Sequence, residues 1–193
     1  IFNVSDTIGL AAFTITGALT GVRFGGADSY VLPILLAATT AVGGGMIRDV
    51  LLGAEAGPPV ALTDPYYLGV ALVGAAVAMM WKMDSRPWRF LLVVADGMVL
   101  GCWAATGAIK TLDNGFGVTP AILLGIITAV GGGMVRDISA GLVPRVFGGN
   151  NLYATPAFAS AGATVVFWHI GQPTIGMGCS ILIGLAFTGL AHW

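Results

Sequence analysis

The chain has 193 residues, of which 56% are hydrophobic and only 9% charged, with 30 glycines. A soluble domain carries roughly a quarter charged residues, so this composition excludes an ordinary solvated surface. The net charge of −1 excludes a phosphate-neutralising stripe and with it nucleic acid as a partner.

Seven apolar runs follow in chain order, over 5–22, 30–52, 65–81, 90–111, 118–142, 153–170 and 173–193. Each is near the roughly 20 residues that a membrane helix needs. They predict an all-α membrane protein with seven transmembrane helices in a single transmembrane domain, 1–193. No basic, cleavable leader precedes the first run, which is expected to be a span. Breakers and most of the charge fall between runs: Arg23 to Asp28, Gly57-Pro58-Pro59, Asp84 to Arg89, Asp113-Asn114-Gly115 and Pro144 to Asn151. Cys102 and Cys179 lie in apolar runs without metal-ligand spacing and read as buried small hydrophobes.

The first six runs form two triplets, about 5–82 and about 90–170, with an extra helix at about 173–193. Asp6 aligns with Asp96, Thr16-Gly17-Ala18 with Thr106-Gly107-Ala108, and Thr40-Ala41-Val42 with Thr128-Ala129-Val130. An odd number of spans per unit forces the two copies into opposite orientations, which is an inverted repeat. Arg23, Lys82, Arg86, Arg89 and Arg145 then share one side and Lys110 takes the other. The positive-inside rule places the N-terminus outside and the C-terminus in the cytoplasm. Tyr30, Trp81, Trp88, Tyr153, Trp168 and Trp193 fall near the expected interfaces as anchors.

One segment recurs almost unchanged. Ala41-Val42-Gly43-Gly44-Gly45-Met46-Ile47-Arg48-Asp49 returns as Ala129-Val130-Gly131-Gly132-Gly133-Met134-Val135-Arg136-Asp137. Glycine costs about 1 kcal/mol relative to alanine inside a helix, so both triplets weaken their spans. Two outcomes fit: a kink or unwound turn whose carbonyls line a wet pathway, or a close crossing of two backbones. Paired, Gly-interrupted spans point to a polar route through a transporter-like protein. Arg48, Asp49, Arg136 and Asp137 strengthen that reading, because each charge costs about 2.5–3.5 kcal/mol at a helix centre unless partnered. Sequence neighbours diverge around a helix, so the expectation is cross-pairing, Arg48 with Asp137 and Arg136 with Asp49. A structural clamp between the halves is the competing role. Asp6 and Asp96 could cap or solvate their helices or face the pathway. Thr16 and Thr106 could offer oxygens to a cation or bond back to their own helices. Lys110 is expected at the interface, with a possible influence on ion entry. His169 and His192 are isolated and suggest no metal. No nucleophile elbow, phosphate loop or ligand cluster indicates an enzyme.

The doubled Gly-Gly-Gly-Met-x-Arg-Asp at 43–49 and 131–137, set in two three-span units with a seventh span, resembles the prokaryotic branch of the trimeric intracellular cation (TRIC) channels. Related bacterial sequences carry the label of a glycine-transporter domain. The resemblance implies a homotrimer in the prokaryotic cell membrane, with a pore in every subunit. It implies that spans two and five bend at Gly43, Gly44, Gly45 and at Gly131, Gly132, Gly133, and that spans one and four help line the route. It further implies permeation of monovalent cations, potassium in particular, as a charge-balancing conductance. The Lys-Glu-Val element of the animal relatives is absent, with Arg136-Asp137-Ile138 as its counterpart. No cofactor is expected beyond a permeant potassium or sodium ion, and the partners are the bilayer, that ion and further copies of the chain. A secondary carrier of glycine or another small amino acid is the alternative; a scaffold with a polar core is the blandest reading.

Overall fold

The computed structural model describes residues 2–24, 30–80, 86–147 and 154–191, and among them every regular element is helical. The α-helices are α1 (Phe2–Phe24), α2 (Val31–Leu52), α3 (Val60–Thr63), α4 (Pro65–Met80), α5 (Arg86–Asp113), α6 (Val118–Ser139), α7 (Ala154–His169) and α8 (Pro173–Ala191). A 3₁₀ turn, Ala54–Ala56, precedes the single turn α3. Four stretches are long and apolar enough to cross a bilayer by length and composition: Val31–Leu52, Phe90–Asp113, Val118–Ser139 and Pro173–Leu190. Gly9–Phe24 and Pro65–Met80 are shorter apolar helices.

Local chemistry explains the boundaries. Pro65 and Pro173 open α4 and α8 at the first helical position, where a missing N–H would have no partner in the helix anyway. At the end of α6, Gly141 adopts φ 71°, and Leu142 N donates to Asp137 O at 2.8 Å. That left-handed residue satisfies the last carbonyls and turns the chain back toward its own helix. The segment expected to be a loop around Gly57-Pro58-Pro59 contains the α3 turn, which the apolar pattern did not anticipate.

α5 occupies the centre, in contact with α1, α6, α7 and α8, while α2 packs on α1, α4 and α6. Leu10, Phe13, Val99, Leu100 and Trp103 build the core between α1 and α5, with the Phe13 and Trp103 rings 4.6 Å apart. Outside the doubled pattern, α8 lies along α5 and α7. Ser160 Oγ donates to Ser180 O at 3.0 Å, and Ser180 Oγ returns the bond to Ser160 O at 2.8 Å. Thr164 Oγ1 lies 2.7 Å from Ser180 Oγ, so buried hydroxyls latch α7 to α8.

α2 and α6 cross at their middle glycines. Both helices stay helical through the triplets, so no unwound turn releases carbonyls there. A methyl group at Gly44 would overlap the Thr128 carbonyl oxygen and sit 3.3 Å from Gly132 N. Reciprocally, a methyl at Gly132 would overlap the Thr40 carbonyl oxygen and lie 3.6 Å from Gly44 N. Backbone meets backbone with no side chain between. Gly45 differs, since its only near neighbour would be Arg48 Nη2 at 3.7 Å. Overpacking costs about 1–3 kcal/mol when neighbours cannot yield. Gly44→Ala is therefore expected to lower the unfolding temperature of the purified protein clearly. Gly45→Ala should be neutral or mildly stabilising, because alanine is the better helix former. Equal unfolding temperatures for the two variants would contradict this crossing.

Candidate functional site

Each helix of the crossing carries its charges one turn beyond the glycines. Arg48 and Asp49 are 9% and 3% exposed; Arg136 and Asp137 are 3% and 4% exposed. The pairing is local: Arg48 Nε lies 2.8 Å from Asp49 Oδ1, and Arg136 Nε lies 2.8 Å from Asp137 Oδ1. Arg136 Nη2 adds a second contact to the same oxygen at 2.7 Å. This corrects the expected cross-pairing of Arg48 with Asp137 and Arg136 with Asp49. The guanidinium stem is long enough to fold sideways onto the next residue's carboxylate, so divergent Cβ directions do not prevent a neighbour pair.

The second carboxylate oxygen of each pair reaches past its helix. Asp49 Oδ2 accepts from Val60 N at 3.3 Å, at the opening of α3. Asp137 Oδ2 accepts from Arg145 N at 3.3 Å, in the loop beyond α6. Each aspartate thus neutralises a buried arginine and tethers the segment that follows. The copies differ at one place. Lys110 Nζ lies 2.8 Å from Asp49 Oδ1, so Asp49 holds two cations across α2 and α5. Lys110, in the last turn of α5, is thus an ion-pair partner of α2. Buried ion pairs are costly to break from one side, because the remaining charge stays desolvated.

A cavity adjoins each pair. The larger, about 350 Å³, is lined by Gly45, Arg48, Asp49, Trp103, Thr106 and Lys110 among others. The smaller, about 240 Å³, is lined by Thr16, Thr20, Arg23, Asp96, Arg136 and Arg145 among others. Asp96 and Thr106 lie on α5 ten positions apart, about 15 Å at 1.5 Å per residue, so the cavities stand toward opposite ends of that helix. Thr16 and Thr106 occupy matching places, one in each cavity. Thr16 Oγ1 donates to Phe13 O at 3.0 Å and Thr106 Oγ1 to Trp103 O at 3.1 Å. The bonds back to their own helices are formed, as one of the two sequence readings expected. The hydroxyl hydrogen engages the helix, and the lone pairs remain for an acceptor role.

Asp96 Oδ2 lies 3.9 Å from an Nη atom of Arg145, a side chain that is 62% exposed. Asp6 falls in α1, but its side chain lies outside the described residues. Of the glycines, Gly43, Gly44, Gly131, Gly132 and Gly133 are buried in the packed crossing, and Gly45 lines the larger cavity. Sequence reasoning missed Thr20, Tyr67 and Trp103 as cavity-lining residues and Val60 as a partner. Helical register could have found Thr20, since it follows the singled-out Thr16 by four positions and shares its face, as Lys110 does Thr106. The Val60 link depends on a loop path that no periodicity encodes.

A family profile described as Glycine transporter matches residues 3–83 and 93–169. The chain belongs to this family. The UPF0126 membrane protein of Deinococcus radiodurans is 40% identical over 82% of this chain and 72% of its own length. The UPF0126 inner membrane protein YadS of Escherichia coli is 34% identical over 78% of this chain and 70% of its own. The TRIC trimeric intracellular cation channel orthologue from Rhodobacter sphaeroides superposes with a TM-score of 0.87 at 30% identity, covering 98% of this chain and 95% of that one. A prokaryotic TRIC channel crystallised in 0.5 M KCl matches with a TM-score of 0.87 at 25% identity, covering 99% and 95%. The fold is the TRIC channel fold, the molecule is an integral membrane protein, and its relatives are membrane proteins and channels with no enzyme among those compared.

The ion pairs generate a stability test. Asp137→Ala leaves Arg136 buried and unpaired and is expected to cost about 3–5 kcal/mol in the unfolding of the purified protein. Replacing both partners by apolar residues, Arg136→Met with Asp137→Leu, should recover most of that loss. A double variant no better than Asp137→Ala would show that the local pair is not what holds the site.

Proposed function

We propose that the chain is a channel for monovalent cations, potassium in particular, with the route running inside each subunit of a homotrimer. In this reading two inverted three-helix repeats, about 5–82 and about 90–170, surround the route, and α8 completes the subunit. The N-terminus lies outside and the C-terminus in the cytoplasm. The larger cavity is then the outer vestibule and the smaller the inner one. The Gly44–Gly132 crossing is the narrow point between them, which bending of α2 and α6 at their glycines would widen. Such a conductance balances charge when other ions move.

The observation that carries the proposal is the matched pair of threonines. Thr16 and Thr106 donate to carbonyls of their own helices while each lines one cavity, so their oxygens serve as acceptors. Oxygens held as acceptors replace part of a cation's hydration shell and offer little to an anion. Neutral hydroxyls bind weakly enough to let an ion leave, which conduction requires. Asp137 offsets Arg136 beside the smaller cavity, while Asp49 offsets one of the two cations, Arg48 and Lys110, beside the larger. Asp6 and Asp96, at corresponding places on α1 and α5, would add negative charge near the route. The TRIC proteins of the same fold are cation channels by name, which supports the same class.

The alternative, a secondary carrier of glycine or another small amino acid, is favoured by the description of the family profile. Purified protein in planar bilayers separates the two. Discrete potassium currents with cation-selective reversal potentials are expected, and Thr106→Val should reduce the unitary current several-fold while the protein remains folded. Saturable glycine uptake without unitary currents would overturn the channel reading.

A further inference from the structure

We propose that the larger cavity is a binding site for a small carboxylate, held by Arg48 and Lys110. Arg48 is 9% exposed, and its guanidinium lines the cavity. Only Nε is engaged, by Asp49 Oδ1 at 2.8 Å. Among the described residues neither Nη atom has a protein acceptor. Lys110 Nζ likewise donates to Asp49 Oδ1 and leaves its remaining hydrogens without a protein acceptor among the described residues. Asp49 meets both cations through Oδ1 alone, while its Oδ2 is turned to Val60 N. The wall formed by α2 and α5 therefore presents a planar fork of N–H donors beside an ammonium group.

A carboxylate answers that wall. Two parallel N–H···O bonds from the free edge of a guanidinium match the two oxygens of a carboxylate, and an ammonium beside them strengthens the bond by charge. Arg48 and Lys110 against Asp49 leave one positive charge, which a monoanion neutralises. The smaller cavity does not repeat the arrangement. There Arg136 places both Nε and Nη2 on Asp137 Oδ1, and Thr20 stands where Lys110 stands in the other copy. At the rim of the larger cavity, Asp113 Oδ1 accepts from Trp168 Nε1 at 2.9 Å. Asp113 and the Thr106 oxygen are acceptors within the same cavity, suited to an ammonium group on the same ligand. A simple carboxylate and an amino acid are thus two sources of one recognised group.

Binding is tested apart from conduction, by calorimetric titration of the purified full chain with sodium acetate, glycine and methylammonium chloride. Sodium chloride at matched ionic strength is the reference. Saturable heats with acetate or glycine, absent with methylammonium, are expected, and tighter binding of glycine would identify the zwitterion as the better source. Lys110→Gln, which keeps the Arg48–Asp49 pair, should weaken carboxylate binding about tenfold, the scale of one charge-assisted hydrogen bond. Arg48→Lys, which keeps the charge and removes the fork, should weaken it similarly. Heats from chloride equal to those from acetate, no saturable signal with either carboxylate, or unchanged affinity in both folded variants would overturn the site. Currents in bilayers could be present in all of these cases, so failure here is distinct from failure of the channel reading.

Discussion

The contact of Gly44 with the Thr128 carbonyl, and of Gly132 with the Thr40 carbonyl, is the constraint on which the rest of the molecule depends. Each glycine sits four residues after the threonine that its partner touches, so the relation is reciprocal and admits one register. With no side chain between the backbones, the arginine and aspartate one turn later are carried to opposite ends of the crossing. Neither pair can then reach the other, which is why each arginine takes its own neighbour. The cavities stand beside the crossing because α1 and α5 apply their own glycines to it. Gly17 lies against Thr40 and Gly107 against Thr128, and Gly21 keeps α1 against α2 at Pro33 one turn on.

Much of this was legible in the residues. Run lengths and breakers placed the long helices, because a bilayer-length apolar segment bounded by proline or glycine has few other solutions. The alignment of Thr16-Gly17-Ala18 with Thr106-Gly107-Ala108 marked the two threonines as equivalent, and each lines one of the two cavities. What composition left open for the triplets was decided by tertiary packing. Close crossing prevailed over unwinding because a helix in apolar surroundings keeps its internal hydrogen bonds whenever a partner backbone can approach. The direction of the Arg48 and Arg136 side chains was not legible, since a long side chain chooses its rotamer from its surroundings and not from its neighbours in sequence. Nor was the reach of Asp49 to Val60, which requires the path of the chain through Gly57-Pro58-Pro59.

The two copies of the motif have diverged where chemistry, and not packing, is at stake. The crossing glycines, the threonines and the arginine–aspartate pairs match position for position. The groups facing those pairs do not: Lys110 serves Asp49, whereas Arg145 N meets Asp137 and Thr20 lines the cavity beside Arg136. Packing tolerates little change at a backbone contact, while a cavity wall can be recharged by a single substitution. Two near-identical segments can therefore face unlike surroundings while their shared contact stays the same.

The hydroxyl latch between α7 and α8 bears on how the chain is assembled. Until α8 has been threaded into the bilayer, Ser160 and Thr164 have no interhelical partner, and the groove of α5 at Gly97 and Gly101 lacks the strand of backbone that fills it. Hydrocarbon offers such groups no substitute for water. Helices α1 to α7 thus form an unfinished body during synthesis, and α8 is the element that closes it.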